Sequence, residues 1–418
     1  MRGSRSSCGP ARRASEKARR IALQDLDRSA TIKRVKSVPV SPPAPQKPAT
    51  IKDVAARAGV ATATVSRYLN GSRVREARRI DEAIEALAFR PNQLARSLKS
   101  GSTRTIGVLV PDISNPFFAD VVKGVESVMR AGEYSLLLCN TDENVDRERA
   151  VVNILLQKQV DGILMAPAAE WSDAPLMLRA RRVPVVLIDR RIEAEEFDVV
   201  LVDNVNGAAQ AAEYLVSLGH TRIAMISGPL DTTPGRERYE GFGEGLRARG
   251  LELDERYLQV ADFREDGGYQ AALRLLAVRP APTALFVSNN LMSIGALRAM
   301  HNLGIRIPHE MSFVGFDDLA LAELTHPPLT VVSRASTEQG VLAMRLLKFR
   351  MENTGEAAPR KIVLETRLTV RGSCAAPAQE PASAGAASPS GGVSARQGTG
   401  PAYPAGAPTP AADGQSGL

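Results

Sequence analysis

The sequence is poor in residues that build covalent or metal-based sites. Three cysteines, Cys8, Cys139 and Cys374, are scattered over 418 residues, which is too few for a disulfide framework or a zinc site. The four histidines show neither metal-ligand spacing nor a nucleophile partner. Apolar runs long enough to span a membrane are lacking, and the arginine-containing N-terminus has no apolar signal core. We therefore expect a cytoplasmic protein with no cofactor and no metal.

Enzyme signatures are also scarce. The glycine-rich stretch at 241–245 lies inside a helical pattern rather than between a strand and a helix, so it does not predict a dinucleotide site. The sequence contains no recognisable catalytic constellation. We expect a binding protein, although an enzyme on the same fold is an alternative that a turnover assay would reveal.

Charge is distributed unevenly along the chain. Residues 1–49 carry 12 Lys and Arg against 3 Asp and Glu, and residues 50–104 carry 11 against 5. Residues 105–418 carry 30 against 38, so the net charge of +7 conceals an acidic remainder. A polyanion should therefore bind near the N-terminus.

Between residues 105 and 373, short apolar runs alternate with helical patterns, which is typical of an α/β fold with parallel sheets. The strand candidates are TIGVLVP, YSLLLCN, VDGILMAP, VPVVLID, DVVLVDN, TRIAMISGP, PTALFVSN and MSFVGFDD. The helix candidates are 117–131, 146–158, 206–218, 236–249, 266–277 and 291–303. The near-continuous Val, Ile and Leu in the strands predict sheets covered on both faces. The length favours two doubly wound parallel-sheet subdomains.

Residues 50–90 are predicted to form a helix-turn-helix. Thr50 and Asp53 form a variant of the capping box, and Gly59 supplies the positive φ that ends the first helix. The small core between the helices is expected to contain Val54, Val65 and Leu69. An ordinary helical hairpin is the alternative, but the positive charge favours DNA binding.

The exposed face of the second helix is expected to contact DNA. Thr62, Ala63, Ser66 and Arg67 share this face by their 3.6-residue spacing. Thr62 and Ala63 could touch base edges or a thymine methyl group. Arg67 could bind guanine with two hydrogen bonds, and Ser66 could hold a phosphate.

A short hinge helix is predicted within residues 91–104. Pro91 ends the preceding helix and Asn92 is a good N-cap. So short a helix should order only against a partner copy and DNA, with Leu98 as an apolar wedge in the minor groove. The residues expected to contact DNA are Asn92, Ala95, Leu98 and Lys99. A plain linker or a short core helix is the alternative.

Polar side chains follow most of the predicted strands. They are Asp112, Asn115, Asp142, Asp189, Arg190, Asp203, Asn289 and Asp317. Ligands of open α/β sheets bind beyond the carboxyl ends of the strands. With Phe117, Phe118 and Phe263 nearby, this set suits a small polyol or sugar. Taken singly, each Asp or Asn could instead cap a turn or a helix.

Several motifs together resemble the LacI/GalR family of bacterial transcriptional regulators. They are DVAARAGVATATVSRYLNG, RPNQLARSLKSGSTRTIGVLVPDISNPFF, GPLDTTPGRERYEGF, SNNLMSIGALRAM and SFVGFDD, in that order. The resemblance implies a headpiece, a hinge helix, a core resembling periplasmic sugar-binding proteins, and a homodimer on a pseudo-palindromic double-stranded DNA operator. It implies effector contacts at Asn115, Phe117, Asp189, Arg238, Phe263, Asn289 and Asp317. Three departures are Ala61, where the family usually has a Ser or Thr cap, the stretch GSRVREARR after Asn70, which is about two residues shorter than the usual pattern, and Asn290, where Asp is common.

The expected organisation has five parts. They are a disordered basic extension (1–49), the headpiece (50–90), the hinge helix and linker (91–104), the effector-binding and dimerisation core (105–373), and a disordered tail (374–418). The core should have two subdomains with chain crossings near residues 204 and 333. We expect a sequence-specific DNA-binding regulator, more commonly a repressor in this family, that responds to a small carbohydrate. A solute-binding protein of the same core fold is the alternative; its signature would be a secretory signal and no headpiece.

Overall fold

The computed structural model describes residues 49–90, 101–129, 134–193, 197–318, 322–353 and 358–378. The predicted DNA contacts Asn92, Ala95, Leu98 and Lys99 lie outside these residues, so that assignment stays a prediction. The chain divides into two compact units, residues 1–92 and 93–418. No described helix combines the length and apolar character that a membrane crossing needs.

The N-terminal unit contains three helices: α1 (Ile51–Ala58), α2 (Thr62–Leu69) and α3 (Ala77–Ala86). At the start of α1, the backbone N–H and the hydroxyl of Thr50 both donate to Asp53 at 2.8 Å. Gly59 ends α1 with φ 66°. Ala61 precedes α2 without a side-chain cap, as the departure at this position led us to expect. The core between the helices includes Val54, Val65, Ile80, Ala83 and Phe89.

The larger unit is made of two lobes, each built on a six-stranded sheet. In the first lobe the strands are β1 (Thr105–Val110), β2 (Ser135–Asn140), β3 (Gly162–Met165), β4 (Val185–Ile188), β5 (Asp198–Val202) and β11 (Lys361–Leu364). Their order is β11-β5-β4-β3-β1-β2, and all pairs are parallel. Its helices are α4 (Pro116–Val128), α5 (Val145–Gln157), α6 (Ala174–Ala180) and α11 (Ser336–Glu352).

The second lobe repeats this plan. Its strands are β6 (Ile223–Ser227), β7 (Leu258–Val260), β8 (Ala284–Val287), β9 (Ser312–Phe316), β10 (Thr330–Arg334) and β12 (Thr366–Thr369). Their order is β12-β10-β9-β8-β6-β7, and only β10 and β12 pair antiparallel. Its α-helices are α7 (Asn204–Ser217), α8 (Thr233–Arg247), α9 (Glu265–Ala277) and α10 (Asn290–Asn302).

The chain passes between the lobes three times, not twice as predicted. The crossings after β5 and after β10 match the expected ones near residues 204 and 333. The third crossing lies at Glu365, which separates β11 in the first sheet from β12 in the second. The sequence KIVLETRLT carries no turn signal at this point, so the prediction missed both strands and the crossing.

Other elements were missing from the prediction because their apolar signal is weak. The helix α11 buries Gly340 and Ala343 as well as Met344 and Leu347, and small residues reduce the contrast between its two faces. The strand β10 has few apolar residues, and α6 and β7 are short.

The backbones of α4 and α11 approach each other closely at paired glycines. A Cβ atom on Gly124 would lie 2.0 Å from the carbonyl oxygen of Thr337, and one on Gly340 would lie 2.0 Å from that of Val121. These obstacles are backbone atoms, so no side-chain rotation can remove them. The position of α11 in the first lobe therefore depends on the absence of two side chains.

We predict that Gly340→Ala destabilises the core by about 1–3 kcal/mol, because overpacking must push α4 and α11 apart. Gly243→Ala in α8 is the matched control, since its Cβ would meet only the Arg247 side chain, at 3.3 Å. Because Ala has the higher helix propensity, the control should keep or raise stability by up to about 1 kcal/mol. Thermal and urea unfolding followed by circular dichroism would check both variants. Equal unfolding midpoints would contradict the close-approach argument.

Candidate functional site

The second helix of the N-terminal unit presents the predicted DNA-contacting face. Thr62, Ala63 and Arg67 are exposed and Ser66 is half-buried, whereas Val65 is fully buried on the opposite side. Further exposed cations lie on the same unit, at Lys52, Arg57, Arg73, Arg75, Arg78, Arg79 and Arg90. A unit that combines an exposed helix face with many exposed cations suits a duplex whose phosphates surround the base edges.

All seven residues predicted to contact an effector line one cleft in the larger unit. The lining residues are Asn115, Phe117, Phe118, Glu143, Asp189, Arg190, Pro234, Arg238, Phe263, Asn289, Asp317 and Arg334. The first lobe contributes residues after β1, β2 and β4, and the second lobe contributes residues after β8 and β9. The carboxyl ends of both sheets therefore face a common space, as the topology predicts for a ligand site.

Four of the lining residues have unusual backbone conformations, and one of them is Glu143 with φ 53°. Asp189, Phe263 and Asp317 have φ values of 65°, 63° and 77°. Such left-handed conformations cost free energy for residues other than glycine and cluster at ligand sites. The turns they form place each side chain in the cleft directly after its strand or loop.

Arg334, which the sequence reasoning missed, lies between two of the predicted carboxylates. Its Nη1 donates to Asp189 Oδ1, and its Nε donates to Asp317 Oδ1 at 2.6 Å. The guanidinium carbon lies 3.4 Å from the ring centroid of Phe117. Burial disfavours the charge on Arg334, but Asp317 and Asp189 outweigh that penalty and raise its pKa.

Arg238 is a second buried cation, and no carboxylate among the described residues pairs with it directly. Its Nε donates to Asn204 Oδ1 at 2.9 Å and its Nη1 to the Ser288 carbonyl at 2.6 Å. Its guanidinium carbon lies 3.6 Å from the centroid of the Phe316 ring. Burial, followed by the charge of Arg334, lowers the pKa of Arg238 to about 10, so it stays protonated at neutral pH.

A third guanidinium, that of Arg190, is paired with Glu143. Two hydrogen bonds of 2.6 and 2.7 Å join them. The guanidinium carbon of Arg190 lies 5.6 Å from the ring centroid of Phe263 in the other lobe. Glu143 itself was not predicted, because it lies in the turn after β2, one residue beyond the polar residue singled out there.

Buried polar atoms without partners concentrate in this cleft. Within the described part of the chain there are four such side-chain atoms, and three belong to lining residues: Arg190 Nε, Arg238 Nη2 and Asp317 Oδ2. Unpaired buried polar groups are costly and need an explanation. Two donors and one acceptor in one small space are what a hydroxylated ligand can satisfy.

The amide residues have structural roles as well. Asn115 caps α4 by accepting from the Phe117 backbone N–H, and it accepts from Asn290 Nδ2 across the lobes at 2.8 Å. Asn289 caps α10 and donates to the carbonyl of Phe263 at 3.0 Å. Asn290, which departs from the family pattern, thus links the two lobes through its Nδ2, while its Oδ1 accepts from the Leu291 backbone N–H in the first turn of α10.

Three other polar residues at strand ends do not line the cleft. Asp112 accepts from the backbone and hydroxyl of Ser114 at 2.8 and 2.7 Å. Asp203 caps α7. Asp142 pairs with Arg147 and, across the lobes, with Arg264. For Asp112 and Asp203 the alternative interpretation as turn and cap residues is the appropriate one, whereas Asp142 joins the two lobes.

The cleft is charge-balanced and small. Its lining includes three guanidiniums, of Arg190, Arg238 and Arg334, and three carboxylates, of Glu143, Asp189 and Asp317. The free volume is about 20 Å³, so a ligand larger than a water molecule requires some separation of the lobes. Nowhere among the described residues do three or more His, Cys, Asp or Glu side chains cluster as metal ligands would.

A larger cavity of about 260 Å³ lies at the opposite, amino ends of the second-lobe strands. Two of its four charged lining residues, Asp254 and Arg256, are joined by hydrogen bonds of 2.6–3.1 Å. None of the unpartnered buried side-chain atoms of the described residues lies there. Its larger volume would favour this cavity as a ligand site, but the unpartnered polar groups that could recognise a ligand lie in the interlobe cleft.

Comparisons with known proteins agree with this architecture. Residues 50–92 match the bacterial regulatory proteins of the lacI family, and residues 212–374 match the periplasmic binding protein-like domain. The ribose operon repressor of Escherichia coli (strain K12) is 38% identical over 307 residues, which cover 72% of this chain and 93% of that protein.

Solved structures of similar proteins include both ligand and DNA complexes. The transcriptional regulator CelR-cellobiose complex has a TM-score of 0.61 at 33% identity and covers 78% of this chain and 99% of that chain. The Lac repressor dimer bound to operator and the anti-inducer ONPF has a TM-score of 0.71 at 26% identity and covers 79% and 100%. The homologues are transcriptional repressors, not enzymes. The chain belongs to the LacI family of bacterial transcriptional regulators.

Proposed function

We propose that this regulator is a repressor whose operator affinity is controlled by an uncharged monosaccharide bound in the interlobe cleft. The observation that carries the proposal is the set of unpartnered atoms Arg190 Nε, Arg238 Nη2 and Asp317 Oδ2. A sugar hydroxyl can accept from a guanidinium and donate to a carboxylate, so one polyol can satisfy both kinds of group. The equal numbers of guanidiniums and carboxylates favour a ligand without net charge.

The rings in the cleft support a carbohydrate over other neutral ligands. Phe117, Phe118 and Phe263 supply apolar faces beside the polar groups, which matches the alternation of C–H and hydroxyl surfaces on a sugar. Because a curated relative is named ribose operon repressor, D-ribose is the first candidate.

DNA recognition is assigned to α2, with Thr62, Ala63, Ser66 and Arg67 toward the duplex. A solute-binding protein, the alternative function, would have the same fold in the larger unit. It would not explain residues 50–92, which match the lacI-type domain. Closing the lobes on a ligand would shift their relative positions, alter the spacing of two paired hinge segments, and so change operator affinity.

A homodimer is proposed from an apolar edge in the first lobe. The strand β2 is at the edge of its sheet, and Ile113, Leu137 and Leu138 are 55%, 38% and 41% exposed beside it. Unpaired edge strands with exposed apolar residues favour association. The similar Lac repressor structure is a dimer on its operator, which supports a second copy as the partner here.

The DNA assignment predicts that Arg67→Ala relaxes the sequence preference at the base pair that Arg67 contacts. Selection from random duplexes should give a two-fold symmetric site for the unaltered chain. Loss of one bidentate base contact should weaken binding to that site by about 1–3 kcal/mol, roughly 5- to 150-fold. The control Arg78→Ala removes a charge that pairs with Glu82 on α3, and should retain the preference. Equal effects of the two variants in fluorescence anisotropy would contradict base readout by Arg67.

The effector assignment predicts that Asp317→Asn weakens D-ribose binding by about 10- to 100-fold, because a charge-assisted hydrogen bond contributes roughly 1.5–3 kcal/mol. Isothermal titration calorimetry of the full chain measures this loss. Asp112→Asn is the matched control, since Asp112 also follows a strand but bonds only within its turn. The assignment would be refuted if both variants bound ribose alike. A full chain that binds no monosaccharide would refute the carbohydrate proposal.

The dimer assignment predicts that Leu138→Asp yields a monomer in analytical ultracentrifugation and lowers operator affinity, because a charge at a buried interface is costly. Leu303→Asp, at a leucine 55% exposed at the end of α10, is the control and should leave the dimer intact. A Leu138→Asp variant that still sediments as a dimer would show that this edge is not the interface.

A further inference from the structure

Arg334 occupies a distinctive place in the chain. It is the last residue of β10 in the second lobe, and the next helix, α11, already belongs to the first lobe. Its two carboxylate partners come from opposite lobes: Asp189 follows β4 and Asp317 follows β9. The side chains of all three are at least nine-tenths buried, with exposures of 4%, 5% and 7%.

We propose that Arg334 is a positioning residue that holds the two lobes together across the cleft and orients Asp189 and Asp317 as hydrogen-bond acceptors for the effector. One oxygen of each carboxylate bonds to the guanidinium, while Asp317 Oδ2 has no partner. The effector part of this inference rests on the proposed function. The lobe-joining part depends only on the contacts.

Removing the guanidinium would leave two buried carboxylates facing each other from opposite lobes. The remaining charged groups around them cannot replace it. Arg238 on α8 is engaged by Asn204 and the Ser288 carbonyl, and Glu237 on the same helix hydrogen-bonds to Asn204. After β4, Arg190 is held by Glu143. Like charges in a poorly hydrated space repel strongly unless one of them takes up a proton.

The repulsion gives the proposal a pH signature. Without Arg334, closing the lobes would be easiest at low pH, where one carboxylate is protonated, and would become harder as pH rises and both ionise. With Arg334 in place the guanidinium stays charged throughout the neutral range, so closure should not depend on pH there. A residue that only filled space would produce no such difference.

The test uses the full chain with Arg334→Gln and Arg334→Lys. Arg298→Gln is the matched control, because Arg298 pairs with Glu265 and Asp266 at the surface of the second lobe. Calorimetry with D-ribose would be performed from about pH 5.5 to pH 8. Small-angle X-ray scattering without ligand and the fluorescence of Trp171 would follow the lobes. Trp171 is the single tryptophan of the chain and is adjacent to Glu170, which bonds Arg236 of the other lobe.

The proposal predicts for Arg334→Gln a ribose affinity that falls by about tenfold or more from low to high pH, with a parallel increase in the radius of gyration. Arg334→Lys should bind ribose more weakly, because an ammonium group lacks the planar donor geometry of the guanidinium. Its ribose affinity should not show this pH dependence, because the positive charge is kept. For the unaltered chain and for Arg298→Gln, neither the ribose affinity nor the radius of gyration should change with pH. Matching pH profiles for Arg334→Gln and Arg298→Gln, or a pH-dependent Arg334→Lys, would overturn it.

The experiments can refute the proposed effector and the proposed lobe-joining role of Arg334 independently of each other. If the unaltered chain does not bind ribose, the proposed effector is wrong, and the scattering and fluorescence of Arg334→Gln still test the contact between lobes. If ribose binds but the lobes of Arg334→Gln respond to pH as the control does, the role of Arg334 is wrong and the effector assignment stands. Circular dichroism would verify that each variant is folded.

Discussion

Compensation of buried charge is the constraint on which the cleft depends. Three guanidiniums and three carboxylates lie in a space with little room for water, and isolated buried ions are too costly to persist. The compensation crosses the lobes, because Arg334 bonds to Asp189 in one lobe and Asp317 in the other. Neither lobe can therefore rotate away without exposing or unpairing these charges, which couples the occupancy of the cleft to the relative position of the lobes.

The fold supplies this arrangement through strand ends and strained turns. Parallel strands bring their carboxyl ends to one edge of each sheet, and left-handed residues such as Asp189 and Asp317 turn their side chains into the cleft there. Rigid lobes make such placement possible. The glycine contact between α4 and α11 brings two backbones together and fixes the helix that follows Arg334. Packing within a lobe thus positions the residue that joins it to its neighbour.

Sequence reasoning found much of this site because the strand-end rule and the family motifs apply to residues near long apolar strands. It placed Asp189, Asn289 and Asp317 at positions that prove to line one cleft. The strand-end rule alone could not separate them from Asp112 or Asp203, since a cap and a ligand contact carry the same local signal; only the family motifs left those two out of the effector set. Arg334 was missed because β10 has few apolar residues, and because its partners lie 145 and 17 residues away in the chain. Contacts between residues so far apart in the sequence are determined by the three points at which the chain crosses between the lobes.

The interiors of the lobes are apolar, whereas many contacts across the cleft are polar. This difference affects how such a protein can change between open and closed forms. Each lobe has fully apolar core clusters, whereas the contacts between lobes include Asn115 with Asn290, Asp142 with Arg264, and Glu170 with Arg236. Separating polar groups lets water replace their partners, so opening costs much less than exposing an apolar core of equal area. A ligand that prefers the closed form by about 5 kcal/mol can then reverse the populations. Polar contacts across the cleft and apolar packing within each lobe are what allow a small effector to move two rigid bodies without unfolding either.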